Sequence, residues 1–145
     1  MRDYRKILAC VDLTDRSDQI AERARDMAAR CGGSVTLLHV VEYVPVEPMG
    51  EALLPAVQIE GELVERATRR IAELATRAGL ETAERIVRAG NIKSEVVRTA
   101  QDMGADLIVL GSRERHGVSI LFNQTEDTVL HAAPCDVLAV RWARK

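Results

Sequence analysis

Short aliphatic runs alternate along the chain with stretches in which apolar residues recur at helical spacing. Four of the runs are rich in branched aliphatic residues, as strands buried on both faces of a parallel sheet are. They are Ile7–Val11, Val35–Val41, Leu107–Leu110 and Val137–Val140. A further segment, Thr82–Arg88, mixes charged with apolar residues. It predicts an edge strand, because charged side chains discourage pairing with another chain.

Helices are predicted between the strands, since apolar residues recur there every three or four positions. These stripes fall within 20–31, 63–78 and 92–103, and a fourth helix is expected around Leu121–Ala132. Strands that alternate with helices predict one parallel sheet covered on both faces, because parallel strands need right-handed crossovers. The fold class is therefore a doubly wound, five-stranded α/β domain. The whole chain, 1–145, is expected to form a single domain.

Start and stop signals bound these helices. Thr14 or Asp15 can cap the first helix and Asn91 the third, because their side-chain oxygens accept hydrogen bonds from first-turn amides. Glycines offer C-terminal stops at Gly32-Gly33, Gly79 and Gly104. Between the second strand and the second helix, Glu42–Ile59 contains three prolines and a glycine. We expect a long irregular connection there.

Composition excludes several classes of protein. A chain of 145 residues can bury about 68–70% of its unfolded surface, so it needs no disulfide or metal framework. Aromatic residues make up only 3% of the chain, which leaves little for stacking on nucleic-acid bases. A net charge of −2 argues against attraction to DNA, RNA or an acidic membrane. Three cysteines and no visible signal peptide or membrane span predict a cytoplasmic protein.

No metal or catalytic constellation is recognisable in the sequence. The histidines are expected on a strand, a loop and a helix, without metal-ligand spacing: His39, His116 and His131. The cysteines are expected to be small buried apolar side chains, with redox sensing as the alternative: Cys10, Cys31 and Cys135. No catalytic serine elbow, phosphate-binding lysine loop or dinucleotide glycine motif follows a strand. We therefore expect neither a catalytic residue nor a metal.

Ligands of doubly wound sheets bind outside the carboxyl ends of the strands, near the reversal of strand order. The segments at those positions are Val11–Thr14, Val40–Tyr43, Arg88–Asn91 and Gly111–Gly117. Four stretches, three of which overlap this set, also carry a family resemblance: YRKILACVDLT at 4–14, LLHVV at 37–41, ADLIVLGS at 105–112 and HAAPCDVLAVR at 131–141. In this order the chain resembles the universal stress protein (UspA-like) family over nearly its whole length.

The resemblance implies a Rossmann-like sheet of strand order 3-2-1-4-5. It also implies a non-enzymatic role in stress response or signalling, carried out with a protein partner that the sequence does not identify. Homodimers of such proteins form through the last strand, here Val137, Leu138, Ala139 and Val140. The residues themselves agree with a dimer, because this strand is an apolar edge that should not remain exposed.

Members of the ATP-binding branch of this family have Gly-x-x-Gly after strand four and a later Gly-Ser or Gly-Thr. Backbone amides there cradle the phosphates, which requires close approach without Cβ atoms. Gly111 matches this motif, but Glu114 stands in place of its second glycine and Asn123-Gln124 in place of the later pair. A carboxylate at that point repels phosphate. The resemblance therefore implies a protein that has no cofactor and does not bind ATP tightly.

The adenine half of the site is better matched. By the resemblance Asp12 contacts the base and Val41 contacts it through its backbone. A helix cap or an Asx turn is the alternative role for Asp12. Other candidate cleft residues are Ser112, Arg113, Gly117 and Thr125, among which the Thr125 hydroxyl, or Arg113 together with Arg115, would restore an anion contact. The rival expectation is therefore a switch regulated by ATP or AMP.

Overall fold

A computed structural model describes residues 3–42, 53–112 and 124–141. Strands and helices alternate strictly through these residues. In chain order they are β1 (Lys6–Cys10), α1 (Ser17–Cys31), β2 (Ser34–Val41), α2 (Leu53–Arg77), β3 (Glu84–Ala89), α3 (Ile92–Met103), β4 (Leu107–Ser112), α4 (Gln124–Ala132) and β5 (Asp136–Arg141).

The five strands form one parallel sheet in the order β3-β2-β1-β4-β5. Central β1 pairs with both β2 and β4, so that Ile7 lies opposite Val35 on one side and Leu107 on the other. The order reverses between β1 and β4, because the chain first winds toward β3 and then returns to the other side. The predicted fold class and strand order are confirmed, and β3 is an edge strand as its charges predict.

Two aliphatic clusters cover the two faces of the sheet. One is formed with α1 and α2 and contains Ile7, Ala9, Ile20 and Ile71. The other is formed with α3 and α4 and contains Leu8 among its fully buried residues. Successive β1 side chains enter opposite clusters, as the two-residue period of a strand requires. This explains why the strands are continuously apolar rather than alternating.

The helix ends confirm most of the predicted signals. Gly32 and Gly104 cap α1 and α3 in the left-handed conformation, with φ of 65° at both. Asn91 caps α3, since its Oδ1 accepts a hydrogen bond from the Ser94 amide at 3.1 Å. The expected cap of α1 by Thr14 or Asp15 is wrong: Arg16 occupies that position, and its side chain does not cap the first-turn amides. The Thr14 hydroxyl is instead donated to Asp12 Oδ1, at 2.7 Å.

Two predicted boundaries also need correction. Helix α2 begins at Leu53, so the irregular connection expected over Glu42–Ile59 ends earlier, and residues 43–52 lie outside the described part. Pro55 is tolerated because first-turn amides have no helical acceptor to lose. Strand β4 continues through Gly111 and Ser112, where a stop was expected, because both pair with β5. Helix α4 is described only from Gln124 onward.

Candidate functional site

The candidate site lies at the carboxyl edge of the sheet. Asp12 follows β1, Val41 ends β2, and Gly111 and Ser112 end β4. Parallel strands bring these four residues to one edge, on both sides of the reversal of strand order. The predicted contacts Arg113 and Gly117, together with Glu114 and Asn123, lie outside the described residues. The backbone of Thr125 belongs to the first turn of α4.

Asp12 organises the turn between β1 and α1. Its Oδ1 accepts hydrogen bonds from the Thr14 amide at 3.1 Å, the Thr14 hydroxyl at 2.7 Å and the Ser17 hydroxyl at 2.8 Å. The amide bond from two residues ahead is an Asx turn, so this alternative role of Asp12 is present in the structure. One carboxylate oxygen is therefore engaged within the turn, and a ligand contact made by Asp12 would depend on how this turn is held.

The backbone of Val41 is also partly engaged. Its carbonyl oxygen accepts a hydrogen bond from the Gly90 amide at 3.0 Å. A carbonyl has two lone pairs, so within the part of the chain that the structure describes one acceptor position of Val41 is left for a ligand. Gly90 has a φ of 152°, and a Cβ there would lie 3.2 Å from Glu95 Oε1. The connection between β3 and α3 therefore lies against the end of β2, with little room for a side chain at Gly90.

His39 contributes a contact that sequence reasoning missed. Its Nδ1 lies 2.7 Å from the carbonyl oxygen of Val11, the residue before Asp12. Because a carbonyl only accepts, Nδ1 carries the proton in this contact. The histidine side chain thus satisfies the backbone carbonyl of Val11, which lies just after the end of β1. The sequence signal for this contact is that His39 is a polar residue within the largely aliphatic run of β2.

A second unexpected contact comes from α2. Leu13 has a φ of 60°, which is unusual for a residue with a branched side chain, and it is buried in the α1–α2 cluster. Arg70 Nη2 donates a hydrogen bond to its carbonyl oxygen at 2.5 Å. Beside this contact lies a polar cleft of about 350 Å³ between α1 and α2, lined among others by Arg70, Asp18 and Arg77.

The cysteines near the sheet show no sign of nucleophilic chemistry. Burial raises the pKa of the Cys10 thiol to about 12, with a further contribution from Cys135. Burial also raises the pKa of Cys135. Both thiols are therefore protonated at neutral pH, and the thiolate is the reactive form. This supports the interpretation of these cysteines as small apolar side chains.

In the part of the chain that the structure describes, no three His, Cys, Asp or Glu side chains are placed to hold a metal ion. None of the helices over those same residues is both long and apolar enough to cross a membrane.

Comparison with known proteins places this doubly wound α/β fold in a family. The model of the universal stress protein family matches residues 3–141. Universal stress protein A homolog 2 of Coxiella burnetii is 35% identical over 142 residues, which cover 97% of each chain. The chain belongs to the universal stress protein family, which confirms the resemblance seen in its motifs.

Solved structures agree with this assignment. Universal stress protein UspA from Lactobacillus plantarum superimposes with a TM-score of 0.75 at 25% identity, over 97% of this chain and 100% of that chain. A universal stress protein in complex with cAMP has a TM-score of 0.67 at 21% identity, over 96% and 98% of the two chains. The second likeness shows a common fold.

Proposed function

We propose that this protein is a non-enzymatic stress-response or signalling protein that acts as a homodimer through β5. Membership of the universal stress protein family supports the stress-response role. The observation that carries the proposal is the free edge of β5. Among the described residues this strand pairs with β4 alone, so its other row of backbone amides and carbonyls has no strand beside it.

The side chains of this edge favour a second copy of the chain as the partner. Val137 and Leu138 are only half-buried and Ala139 is exposed. In the preceding helix α4, Leu130 is 56% exposed. A long apolar edge strand left open would invite uncontrolled pairing. Pairing with its own copy about a two-fold axis would close this edge in a self-complementary way.

The dimer is tested by Ala139→Lys, with Ala89→Lys as the matched control. Both alanines are exposed residues of edge strands, the first in β5 and the second in β3. We expect the wild type and Ala89→Lys to have about twice the 16.0 kDa chain mass in light scattering at micromolar concentration. Ala139→Lys is expected to shift toward the chain mass, because each copy would bring a charged side chain to the apolar edge that pairs. A wild-type monomer would refute the proposal.

Weak ATP binding completes the proposed function. Its support is in the sequence, where Glu114 and Asn123-Gln124 replace the phosphate-binding glycine motifs. The absence of catalysis remains part of the proposal, and ATP turnover that Asp12→Ala abolishes would contradict it.

An adenine-nucleotide switch is the second candidate function. The favouring observation is that Asp12 and Gly111 stand on both sides of the strand-order reversal, where ligands of such sheets bind. The relative solved with cAMP shows that a protein of this fold can hold an adenine nucleotide. Calorimetric titration with ATP, AMP and cAMP separates the two functions. Micromolar or tighter binding of any of them supports the switch.

Glu114→Gly tests why phosphate binding is weak. If the carboxylate and its bulk exclude the phosphates, the glycine variant should bind ATP at least tenfold more tightly than the wild type, which is about 1.4 kcal/mol. Glu114→Gln is the matched control, since it removes the charge but keeps the volume. An unchanged ATP affinity in both variants would show that Glu114 is not the obstacle.

A further inference from the structure

The turn between β1 and α1 is held in a strained form. Leu13 has a φ of 60°, which an L-residue with a large side chain rarely adopts. Its side chain is nevertheless 8% exposed and packs in the α1–α2 cluster. Such a conformation persists only when the surroundings determine it more strongly than the local preference opposes it. The contacts around Leu13 are therefore the ones that set the turn.

Hydrogen bonds from two other elements reach the residues on either side of Asp12. His39 of β2 donates from Nδ1 to the Val11 carbonyl at 2.7 Å, and Arg70 of α2 donates from Nη2 to the Leu13 carbonyl at 2.5 Å. Inside the turn, Asp12 Oδ1 accepts from Thr14 and Ser17. The carbonyls of Val11 and Leu13 are thus held by side chains of β2 and α2, while the Asp12 carboxylate is held by groups of the turn and of α1.

We propose that Arg70 is a positioning residue, which keeps Leu13 in its left-handed conformation and thereby fixes Asp12 at the carboxyl edge of the sheet. Arg70 is the solvent-accessible part of this arrangement, because it is exposed and lines the cleft between α1 and α2. His39, in contrast, is half-buried within the sheet. Release of Arg70 would let Leu13 relax and the Asp12 turn loosen.

Arg77, the neighbouring arginine of the cleft, is not positioned to replace Arg70. Its Nη2 lies 3.0 Å from Asp18 Oδ1, so it is engaged with the first turn of α1. The bond from Arg70 to Leu13 is therefore a polar contact by which α2 acts on the turn itself. By thermodynamic linkage, a ligand that prefers the fixed turn strengthens this contact, and the contact strengthens the ligand equally. Only this consequence for ligand binding rests on the second candidate function, the adenine-nucleotide switch.

Amide hydrogen exchange of Arg70→Met tests the positioning role directly. The Thr14 amide reports its bond to Asp12, and the Ser17 amide reports its bond to the Thr14 carbonyl. We expect both amides to exchange about tenfold faster in Arg70→Met, because a charge-assisted hydrogen bond is lost. Arg70→Lys should recover part of the protection, since it keeps a cationic donor. The matched control is Arg69→Met, the adjacent exposed arginine of α2.

A general loss of stability would give a different pattern. The amide of Ala24, in the middle of α1, should exchange at the wild-type rate in all three variants. Unchanged exchange at Thr14 and Ser17 in Arg70→Met would overturn the proposal. So would an equal acceleration at Ala24, or an Arg69→Met variant that behaves like Arg70→Met.

Titration with AMP separates this inference from the second candidate function. If the wild type binds AMP, saturating AMP should slow exchange at Thr14 in both the wild type and Arg70→Met, because a ligand that prefers the fixed turn lowers the population of its open form. Exchange at Thr14 that AMP leaves unchanged would overturn the coupling between ligand and turn. If the wild type does not bind AMP, the nucleotide switch fails, while the exchange rates still decide whether Arg70 positions the turn.

Discussion

Replacement of Gly33 by alanine is expected to destabilise the fold by about 3 kcal/mol, in the upper range for overpacking of a core. A Cβ at this position would clash with the Tyr4 carbonyl oxygen and lie 2.9 Å from that of Arg5. These are backbone atoms, so no side-chain rotation can relieve the contact. The Ser34 amide also donates to the Arg5 carbonyl at 2.9 Å, which ties this approach to the start of the β1–β2 pairing.

Gly61→Ala is the matched control for this prediction. Gly61 lies within α2, and a Cβ there would meet no atom within 4 Å. Alanine in a helix interior should stabilise the protein by about 0.5–1 kcal/mol relative to glycine. Urea denaturation of both variants therefore distinguishes a steric effect from a general effect of removing glycine. Equal midpoints for the two variants would show that the close approach at Gly33 is not a constraint.

The fold could be predicted from the sequence because its signals are local. Four of the five strands are compact aliphatic runs, and Asn91 and Gly104 mark the ends of α3 through contacts within a few residues. The start of α1 could not be predicted in the same way. Thr14 has the chemistry of a cap, but its hydroxyl is taken by Asp12 two residues earlier. Two local interactions compete for one group, and the residue types alone do not decide between them.

The candidate site likewise contains residues that could be predicted from the sequence and residues that could not. The positions of Asp12 and Gly111 follow from the rule that ligands meet the carboxyl ends of parallel strands. Arg70 does not follow from any such rule, because an arginine on a polar helix face is usually just solvated. Its bond to Leu13 joins residues 57 apart in the chain, and the left-handed Leu13 is a backbone feature that no side-chain pattern announces. Residues that shape a turn from another element become visible only in three dimensions.

Asp106→Ala is expected to lower the free energy of unfolding by about 3 kcal/mol, since hydrogen bonds to a charged group contribute about 1.5–3 kcal/mol each. Asp106 precedes β4, and its Oδ2 accepts from the backbone amides of Arg5 at 3.0 Å and Lys6 at 2.9 Å. Its own amide donates to the Lys6 carbonyl at 2.8 Å. The side chain therefore extends the pairing of β1 with β4 to residues that precede its first backbone ladder pair, Ile7 with Leu107.

Asp102→Ala is the matched control, which shows how much stability is lost when an acidic side chain without such backbone contacts is removed. Asp102 lies in α3 with its side chain 63% exposed and is 3.9 Å from the Arg98 guanidinium, so its removal should change stability by less than about 0.5 kcal/mol. Asp106→Asn should fall between the two, because an amide oxygen still accepts but without charge assistance. In urea, the three midpoints should be ordered Asp102→Ala, Asp106→Asn, Asp106→Ala from highest to lowest. If Asp106→Ala unfolds at the same urea concentration as Asp102→Ala, the carboxylate does not join β1 to β4, and the backbone ladder alone holds the two strands together.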